Sequence, residues 1–147
     1  MDIDDFLAQK CLAVVGVSRT GKKFGNIILR ELRARGYRVF PVNPHATELE
    51  GKKCYPTLDS LPEPALGVVI NLPPAKALLA LRDARAAGIR LVWLQQGSES
   101  DEAVEFCEQS GISVVVGQCI LMFARPVKFP HNFHGWAWKL FGMGPEI

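Results

Sequence analysis

The stretch Leu32-Arg-Ala-Arg-Gly36-Tyr37-Arg-Val-Phe40 decides the fold, because a helical pattern ends in glycine and a short apolar run follows at once. Glycine accepts the left-handed conformation that closes a helix, so this stretch predicts a tight helix-to-strand turn. The same unit recurs at residues 84–93, around Gly88, and at residues 107–116, around Gly111. The recurrence indicates a chain in which helices and strands alternate regularly.

Short apolar runs supply the strands, and they are continuous rather than alternating, which is typical of strands buried on both faces. The predicted strands are Leu12–Val17, Val39–Val42, Val68–Leu72, Leu91–Leu94 and Val114–Val116. Strands that alternate with helices predict an α/β fold, a Rossmann-like doubly wound and mainly parallel sheet in a single domain. A two-layer antiparallel fold is the alternative.

The predicted helices are amphipathic and have recognisable starts. Residues on their predicted apolar faces are Phe24, Ile27, Ile28 and Leu32 in one helix and Ala103, Phe106 and Cys107 in another. Pro74 is suited to open a helix over Ala75–Ala87, and Ser98 and Ser100 are candidate caps for the helix that follows. The proline-rich segment Glu48–Pro64 breaks the rhythm and predicts one short strand or helical turn at the sheet edge.

Composition gives no sign of a partner that binds through the overall charge of the protein. The 147 residues are 48% hydrophobic and 22% charged, with a formal net charge of +2, so neither nucleic acid nor a membrane is expected as a partner. Any anion site must therefore be local. Scattered cysteines, an acidic start and the lack of an apolar run of about 20 residues predict a protein of the reducing cytoplasm.

Ligands of such sheets bind beyond the carboxyl ends of the strands, so the loop after the first strand is the leading candidate site. It consists of Gly16, Val17, Ser18, Arg19, Thr20, Gly21, Lys22 and Lys23. Glycines let the backbone approach a phosphate, the following helix offers free N–H groups, and the basic side chains add charge. The loop predicts a phosphorylated ligand, and a basic loop that is merely solvated is the alternative.

Two nucleotide-binding motifs nearly match this loop. Gly16 to Lys22 fits G-x-x-x-x-G-K, but Lys23 replaces the hydroxyl residue that would hold magnesium, which argues against an NTPase. The dinucleotide pattern G-x-G-x-x-G fails at Ser18, and no acid ends the second strand, which disfavours NAD. An NADP site stays open, because Arg19 could meet a 2'-phosphate.

The loops after three further strands face the same edge. Their candidate binding residues are Val42, Asn43, Pro44, Leu72, Pro73, Pro74, Gln95 and Gly97. Asn43 suits the edge of an adenine or ribose, or else satisfies local backbone. The prolines of the second of these loops would form an apolar wall, or else simply begin a helix.

Several phrases together resemble the stand-alone CoA-binding protein family, which is related to the CoA-binding domain of the succinyl-CoA synthetase alpha subunit. They are Ala13-Val-Val-Gly-Val-Ser18, Gly36-Tyr-Arg-Val-Phe-Pro-Val-Asn-Pro44, Gly51-Lys-Lys-Cys-Tyr-Pro56, Pro73-Pro74 and Val92-Trp-Leu-Gln-Gln-Gly97. The resemblance runs in order over about residues 10–120. It implies a domain that holds coenzyme A, with phosphates near Gly16–Lys22 and adenosine between the Val42–Pro44 and Leu72–Pro74 loops.

The resemblance also sets limits. Synthetase alpha subunits carry a second domain with a phosphorylated histidine, and His45, His131 and His134 lie in no matching motif. Binding of CoA or acyl-CoA without an evident catalytic centre is therefore the expected function. The alternative is an NADP-dependent oxidoreductase or a CoA-dependent transferase, for which His45 and Cys119 are the candidate titratable groups. Cys119 follows the last strand, where it could exchange with a CoA thiol or acyl group, or serve as core.

Residues 122–147 form a predicted extension beyond the CoA-binding domain of residues 1–121. The extension is rich in aromatic residues, namely Phe123, Phe129, Phe133, Trp136, Trp138 and Phe141. Because such side chains seldom remain in water, we expect the extension to pack on the domain or on a partner subunit, as in a homodimer. No metal site is expected, since His131-x-x-His134 lacks a third ligand nearby.

Overall fold

A computed structural model describes residues 3–124 of the chain. Its helices and strands run in the order α1 (Ile3–Leu7), β1 (Cys11–Val15), α2 (Phe24–Ala34), β2 (Arg38–Val42), β3 (Glu48–Leu49), β4 (Lys52–Lys53), β5 (Gly67–Ile70), α3 (Pro74–Ala86), β6 (Leu91–Gln95), α4 (Asp101–Ser110) and β7 (Ser113–Gln118). Short 3-10 turns lie at Leu58–Ser60 and Ile120–Met122.

The main sheet has five strands in the order β2-β1-β5-β6-β7, and every neighbouring pair is parallel. From β1 the chain first adds β2 on one side and later adds β5 on the other. The order of the strands therefore reverses at β1, which makes the gap between β1 and β5 the topological switch point. The predicted Rossmann-like α/β fold is confirmed, and the antiparallel alternative is wrong.

Helices cover both faces of the sheet, which explains the continuous apolar strands. Within β1, Leu12 and Val14 face the core cluster that contains α1 and α2, whereas Ala13 faces the cluster that contains α3 and α4. Fully buried Trp93 anchors the first cluster, with Phe6 of α1 edge-on at 5.5 Å between ring centroids. The sequence reasoning had not predicted α1.

The glycine turns hold as predicted. Gly36, Gly88 and Gly111 follow α2, α3 and α4 with φ angles of 94°, 79° and 71°. Strand ends are less well predicted, because β1 stops at Val15, two residues before the predicted end. Gly16 turns the chain there with φ 112°.

The predicted buried face of α2 is partly wrong. Ile28 and Leu32 are buried as expected, but Phe24 and Ile27 are 42% and 38% exposed. The residues that replace them on the buried face are Gly25, Asn26 and Leu29. A Cβ built on Gly25 would lie 2.1 Å from the carbonyl oxygen of Gly16, so this glycine must face the β1 loop. That contact sets the rotation of the whole helix.

The irregular segment after β2 has more structure than the predicted single short strand or helical turn. It forms the antiparallel hairpin β3–β4 and then the turn of 3-10 helix at Leu58–Ser60. Of the predicted extension, only residues 122–124 lie in the described part. Phe123 packs beside Trp93, and the carbonyl of buried Ala124 accepts a hydrogen bond from Arg35. Residues 125–147 lie outside the described residues, so the packing of the extension stays a prediction.

Candidate functional site

The carboxyl ends of β1 and β5 are joined by direct backbone contact. The backbone N–H of Asn71 donates to the Val15 carbonyl at 2.9 Å. A Cβ on Gly16 would lie 2.1 Å from the Asn71 carbonyl oxygen, so no side chain fits at position 16. The loops that follow these two strands are therefore held against each other at the switch point.

The loop Gly16–Lys23, here called the basic loop, is held in shape by Asn26. This side chain is fully buried, and its Oδ1 accepts hydrogen bonds from the Ser18 amide at 2.9 Å and the Ser18 hydroxyl at 3.0 Å. Its Nδ2 donates to the Ser18 carbonyl at 2.9 Å. Farther along, the Lys22 amide donates to Thr20 Oγ1 at 3.2 Å. Hydrogen bonds within the protein therefore hold the loop in shape.

Helix α2 begins directly after the basic loop, and its start is open. Lys23 stands at the N-cap in an extended conformation and makes no capping hydrogen bond with its side chain. By contrast, Ser100 caps α4 by accepting from the Ala103 amide at 3.1 Å. The Asn26 N–H donates to the Lys23 carbonyl at 3.0 Å, so the first turn of α2 is held by backbone and not by a side-chain cap, and the positive end of the helix dipole lies beside the basic loop.

Basic side chains project from the same loop. Arg19, Lys22 and Lys23 are exposed, and none of them forms an ion pair with any described residue. Three uncompensated cations next to an open helix start produce a local positive field, although the chain as a whole is nearly neutral.

The loop after β2 is tied to the basic loop by Asn43. Its Nδ2 donates to the Val17 carbonyl at 2.9 Å, and its Oδ1 accepts from the His45 amide at 2.7 Å. The amide thus satisfies local backbone, which was one of the two predicted roles. Val17 and Val42 are buried in the core, and the Val17 carbonyl is already used by Asn43.

The loops after β5 and β6 are joined by Ser98. Its buried hydroxyl accepts from the Leu72 amide at 3.0 Å, so it links two loops instead of capping α4 as predicted. Pro73 and Pro74 are exposed at the start of α3, which begins at Pro74 as the sequence indicates.

Gln95 and Gly97 have different surroundings. The side chain of Gln95 is 2% exposed; it accepts from the Ile120 amide at 2.7 Å and donates to Cys119 Sγ at 3.3 Å. The Gln95 amide is therefore used inside the protein. Gly97 is exposed with φ 98°, and its N–H donates to Glu99 at 3.0 Å.

Two other cysteines are poorly suited to nucleophilic chemistry. Burial, together with a hydrogen bond to Glu63 and the charge of that carboxylate, raises the pKa of Cys11 to about 11 despite the opposing charge of Arg38. Burial and the charge of Glu108 raise the pKa of Cys107 to about 11. Both remain protonated thiols at neutral pH, and the thiolate is the reactive form.

Two general properties of the described residues bear on the site. Across residues 3–124, no three His, Cys, Asp or Glu side chains come together as a group able to hold a metal ion. Within the same range, no helix has the length and apolar character needed to cross a membrane.

Sequence reasoning missed the residues that support the basic loop. Gly25 and Asn26 interrupt the apolar side of α2, and a small and a polar residue in such a pattern are the signal that could have marked them. Glu50 and Arg30 also contact this region, from a hairpin and from the exposed side of α2. No local pattern predicts that contact, because Glu50 lies 24 residues from Asn26.

The sequence model of the CoA-binding domain family matches residues 10–125. This chain belongs to that family. The family resemblance seen in the sequence is thereby confirmed, and the four predicted binding loops all lie within the matched region.

Among individual proteins, the chain is 28% identical over 134 residues to acetate–CoA ligase (ADP-forming) I of Archaeoglobus fulgidus, covering 84% of this chain and 20% of the ligase. A conserved hypothetical protein of Pyrococcus furiosus has a similar structure, with a TM-score of 0.72 and 39% identity. The match covers 76% of this chain and 97% of that protein. The dinucleotide-forming acetyl-coenzyme A synthetase 1 of Ca. Korarchaeum cryptofilum has a similar structure, with a TM-score of 0.69 and 32% identity. The match covers 78% of this chain and 27% of the synthetase. The chain thus spans about a fifth to a quarter of these enzymes.

Proposed function

We propose that this chain binds coenzyme A or acyl-CoA at the carboxyl edge of the sheet, with the ligand phosphates on the basic loop. The observation that carries the proposal is the combination of three exposed cations without partners among the described residues and a helix start without a side-chain cap. Backbone N–H groups and fixed positive charge are what a phosphate requires. Family membership favours CoA over other phosphorylated ligands.

The adenosine of CoA would lie between the loops Val42–Pro44 and Leu72–Pro74. Exposed prolines line both loops, and proline rings offer rigid apolar surfaces for a planar base. Hydrogen bonds through Asn43 and Ser98 connect these loops to the rest of the edge, so little ordering would be needed on binding.

Binding without turnover is the proposed activity. His45 and Cys119 were the candidate titratable groups of the enzymatic alternative. His45 is exposed on the loop after β2, and Cys119 accepts a hydrogen bond from Gln95. The ligase and synthetase activities belong to relatives of which this chain matches about a fifth to a quarter, so they are not carried over.

Calorimetric titration with CoA, dephospho-CoA, NADPH and NAD at one salt concentration tests the proposal. We expect CoA to bind best, and Lys22→Ala or Arg19→Ala to weaken binding about tenfold, since a hydrogen bond to a charged group contributes about 1.5 kcal/mol. Lys10→Ala is the matched control, because Lys10 is exposed at the opposite end of β1. Its affinity for CoA should equal that of the natural chain.

The other ligands give the contrary outcomes. If CoA gives neither heat nor thermal stabilisation, the proposal is refuted, and binding of NADPH in its place would support the oxidoreductase alternative. Equal losses in Lys10→Ala and Lys22→Ala would show that general charge attracts the ligand and that the basic loop does not form the site.

A further inference from the structure

The turn of the β3–β4 hairpin places a carboxylate against the support of the basic loop. Glu50 Oε2 accepts from Asn26 Nδ2 at 2.8 Å, and Arg30 Nη1 donates to both Glu50 oxygens at 2.9 and 3.0 Å. Arg33 donates to the Glu50 carbonyl at 3.1 Å. The Glu50 side chain is 14% exposed and that of Arg30 is 48% exposed, so the contact with Asn26 is partly buried while the ion pair with Arg30 lies at the surface.

The backbone at Glu50 is in an unusual conformation for this residue. Glu50 and Gly51 have φ angles of 52° and 74°, and both form the turn between β3 and β4. Turns with two positive φ angles favour asparagine, aspartate or glycine. A glutamate at this position costs about 1 kcal/mol of stability. Its side chain nevertheless lies against Asn26, which supports the basic loop.

The carboxylate reinforces an orientation of the Asn26 side-chain amide that the Ser18 backbone also requires, because Nδ2 donates both to the Ser18 carbonyl and to Glu50 Oε2. An ionised carboxylate only accepts hydrogen bonds, so the NH₂ group of Asn26 must face Glu50. Oδ1 of Asn26 must then face the Ser18 amide, as observed. The reverse orientation would place the amide oxygen against the carboxylate and the NH₂ group against the Ser18 N–H.

Glu50 is ionised at neutral pH in this setting. Burial alone would raise the pKa of its carboxyl group, but hydrogen bonds from Asn26 and Arg30 and the charges of Arg30 and Arg33 together outweigh burial and lower the pKa. The acceptor-only form that reinforces the orientation of Asn26 is therefore the form present under physiological conditions.

We propose that Glu50 is a positioning residue for the phosphate site, acting through Asn26 on Ser18 and so on the shape of the basic loop. This inference rests on the proposed function. It makes a prediction opposite to that of simple electrostatics. Removing a negative charge beside a polyanion site should by itself strengthen binding, whereas loss of positioning should weaken it.

The test is CoA affinity by calorimetry for Glu50→Gln, with Glu48→Gln as control. Glu48 is exposed in the same hairpin, so its substitution removes the same charge without touching Asn26. Glutamine keeps one acceptor oxygen but loses the charge and the second acceptor, so Asn26 and Arg30 must compete for that oxygen. We expect Glu50→Gln to weaken CoA binding about tenfold, as for one lost charge-assisted hydrogen bond. Glu48→Gln should stay within about twofold of the natural chain.

A second variant separates positioning from unfolding. Asparagine tolerates positive φ, so Glu50→Asn should keep the hairpin, yet its shorter side chain withdraws from Asn26 and Arg30. We expect this variant to melt at about the same temperature as the natural chain and still to bind CoA weakly. Unchanged or tighter CoA binding in Glu50→Gln and Glu50→Asn would overturn the inference.

Hydrogen exchange of the Ser18 amide without ligand keeps the two proposals distinguishable. Its hydrogen bond to Asn26 should slow exchange in the natural chain and in Glu48→Gln, and exchange should quicken about tenfold in Glu50→Gln. If CoA does not bind the natural chain, the proposed function fails, and the exchange rates alone decide whether Glu50 orders the loop. Equal exchange in all variants would refute positioning.

Discussion

At the scale of single residues, the candidate site depends on two places where backbone meets backbone. Gly16 contacts the carbonyl of Asn71, and Gly25 contacts the carbonyl of Gly16, each so closely that no Cβ fits. These contacts join β1, β5 and α2 at the switch point. The glycines near the basic loop therefore do more than allow a turn, because they let three chain segments pack without side chains between them.

Replacing Gly16 by alanine should be severely destabilising. The new Cβ would lie 2.1 Å from a backbone oxygen at φ 112°, so overpacking adds to the left-handed penalty and we expect a loss of at least about 3 kcal/mol. Urea denaturation measures the free energy of unfolding. Gly88→Ala is the control, since Gly88 has φ 79° and nothing within 4 Å of its Cβ position, and it should cost only about 1 kcal/mol. Similar losses in the two variants would contradict this account.

At the scale of elements, the sequence predicted which segments are helices and strands better than how they are oriented. Glycine turns and apolar runs are local signals, so α2 to α4 and the five sheet strands could be recognised. The rotation of α2 could not, because Phe24 looks like core until the contact between Gly25 and Gly16 is known. The basic loop could likewise be predicted from the sequence. Its support by Glu50 could not, because that contact forms only when the β3–β4 hairpin is folded against α2.

Ser98 tests how the loops at the carboxyl edge are coupled. Ser98→Ala leaves the Leu72 amide without its acceptor, so we expect a loss of about 1–2 kcal/mol and weaker CoA binding. Ser100→Ala removes the cap of α4 and should cost about 1 kcal/mol while leaving CoA affinity unchanged. Thermal denaturation and calorimetry of both variants are required. CoA binding that falls equally in both would show that general stability, and not the Leu72 loop, controls affinity.

At the scale of the whole molecule, one edge of the sheet gathers residues that are far apart in sequence. Hydrogen bonds made by Asn43, Asn71 and Ser98 link the loops that follow β1, β2, β5 and β6 to one another. The opposite edge has a different character, with an open pocket of about 330 Å³ lined by residues such as Pro64, Leu66 and Arg90. The parallel topology makes the first edge the expected ligand side and the second a natural internal control.

The most direct measurement is an amide nuclear magnetic resonance titration of the isotopically labelled chain with CoA. If CoA binds at the carboxyl ends of the strands, we expect chemical-shift changes concentrated in the amides of residues 16–23, 43, 45–47, 71–72 and 96–100, with the largest in the basic loop. The amide signals of residues that line the opposite pocket, such as Leu66 and Arg90, should keep their chemical shifts. Shifts centred on that pocket, or spread evenly over both edges of the sheet, would contradict the claim that CoA binds at the carboxyl ends of the strands.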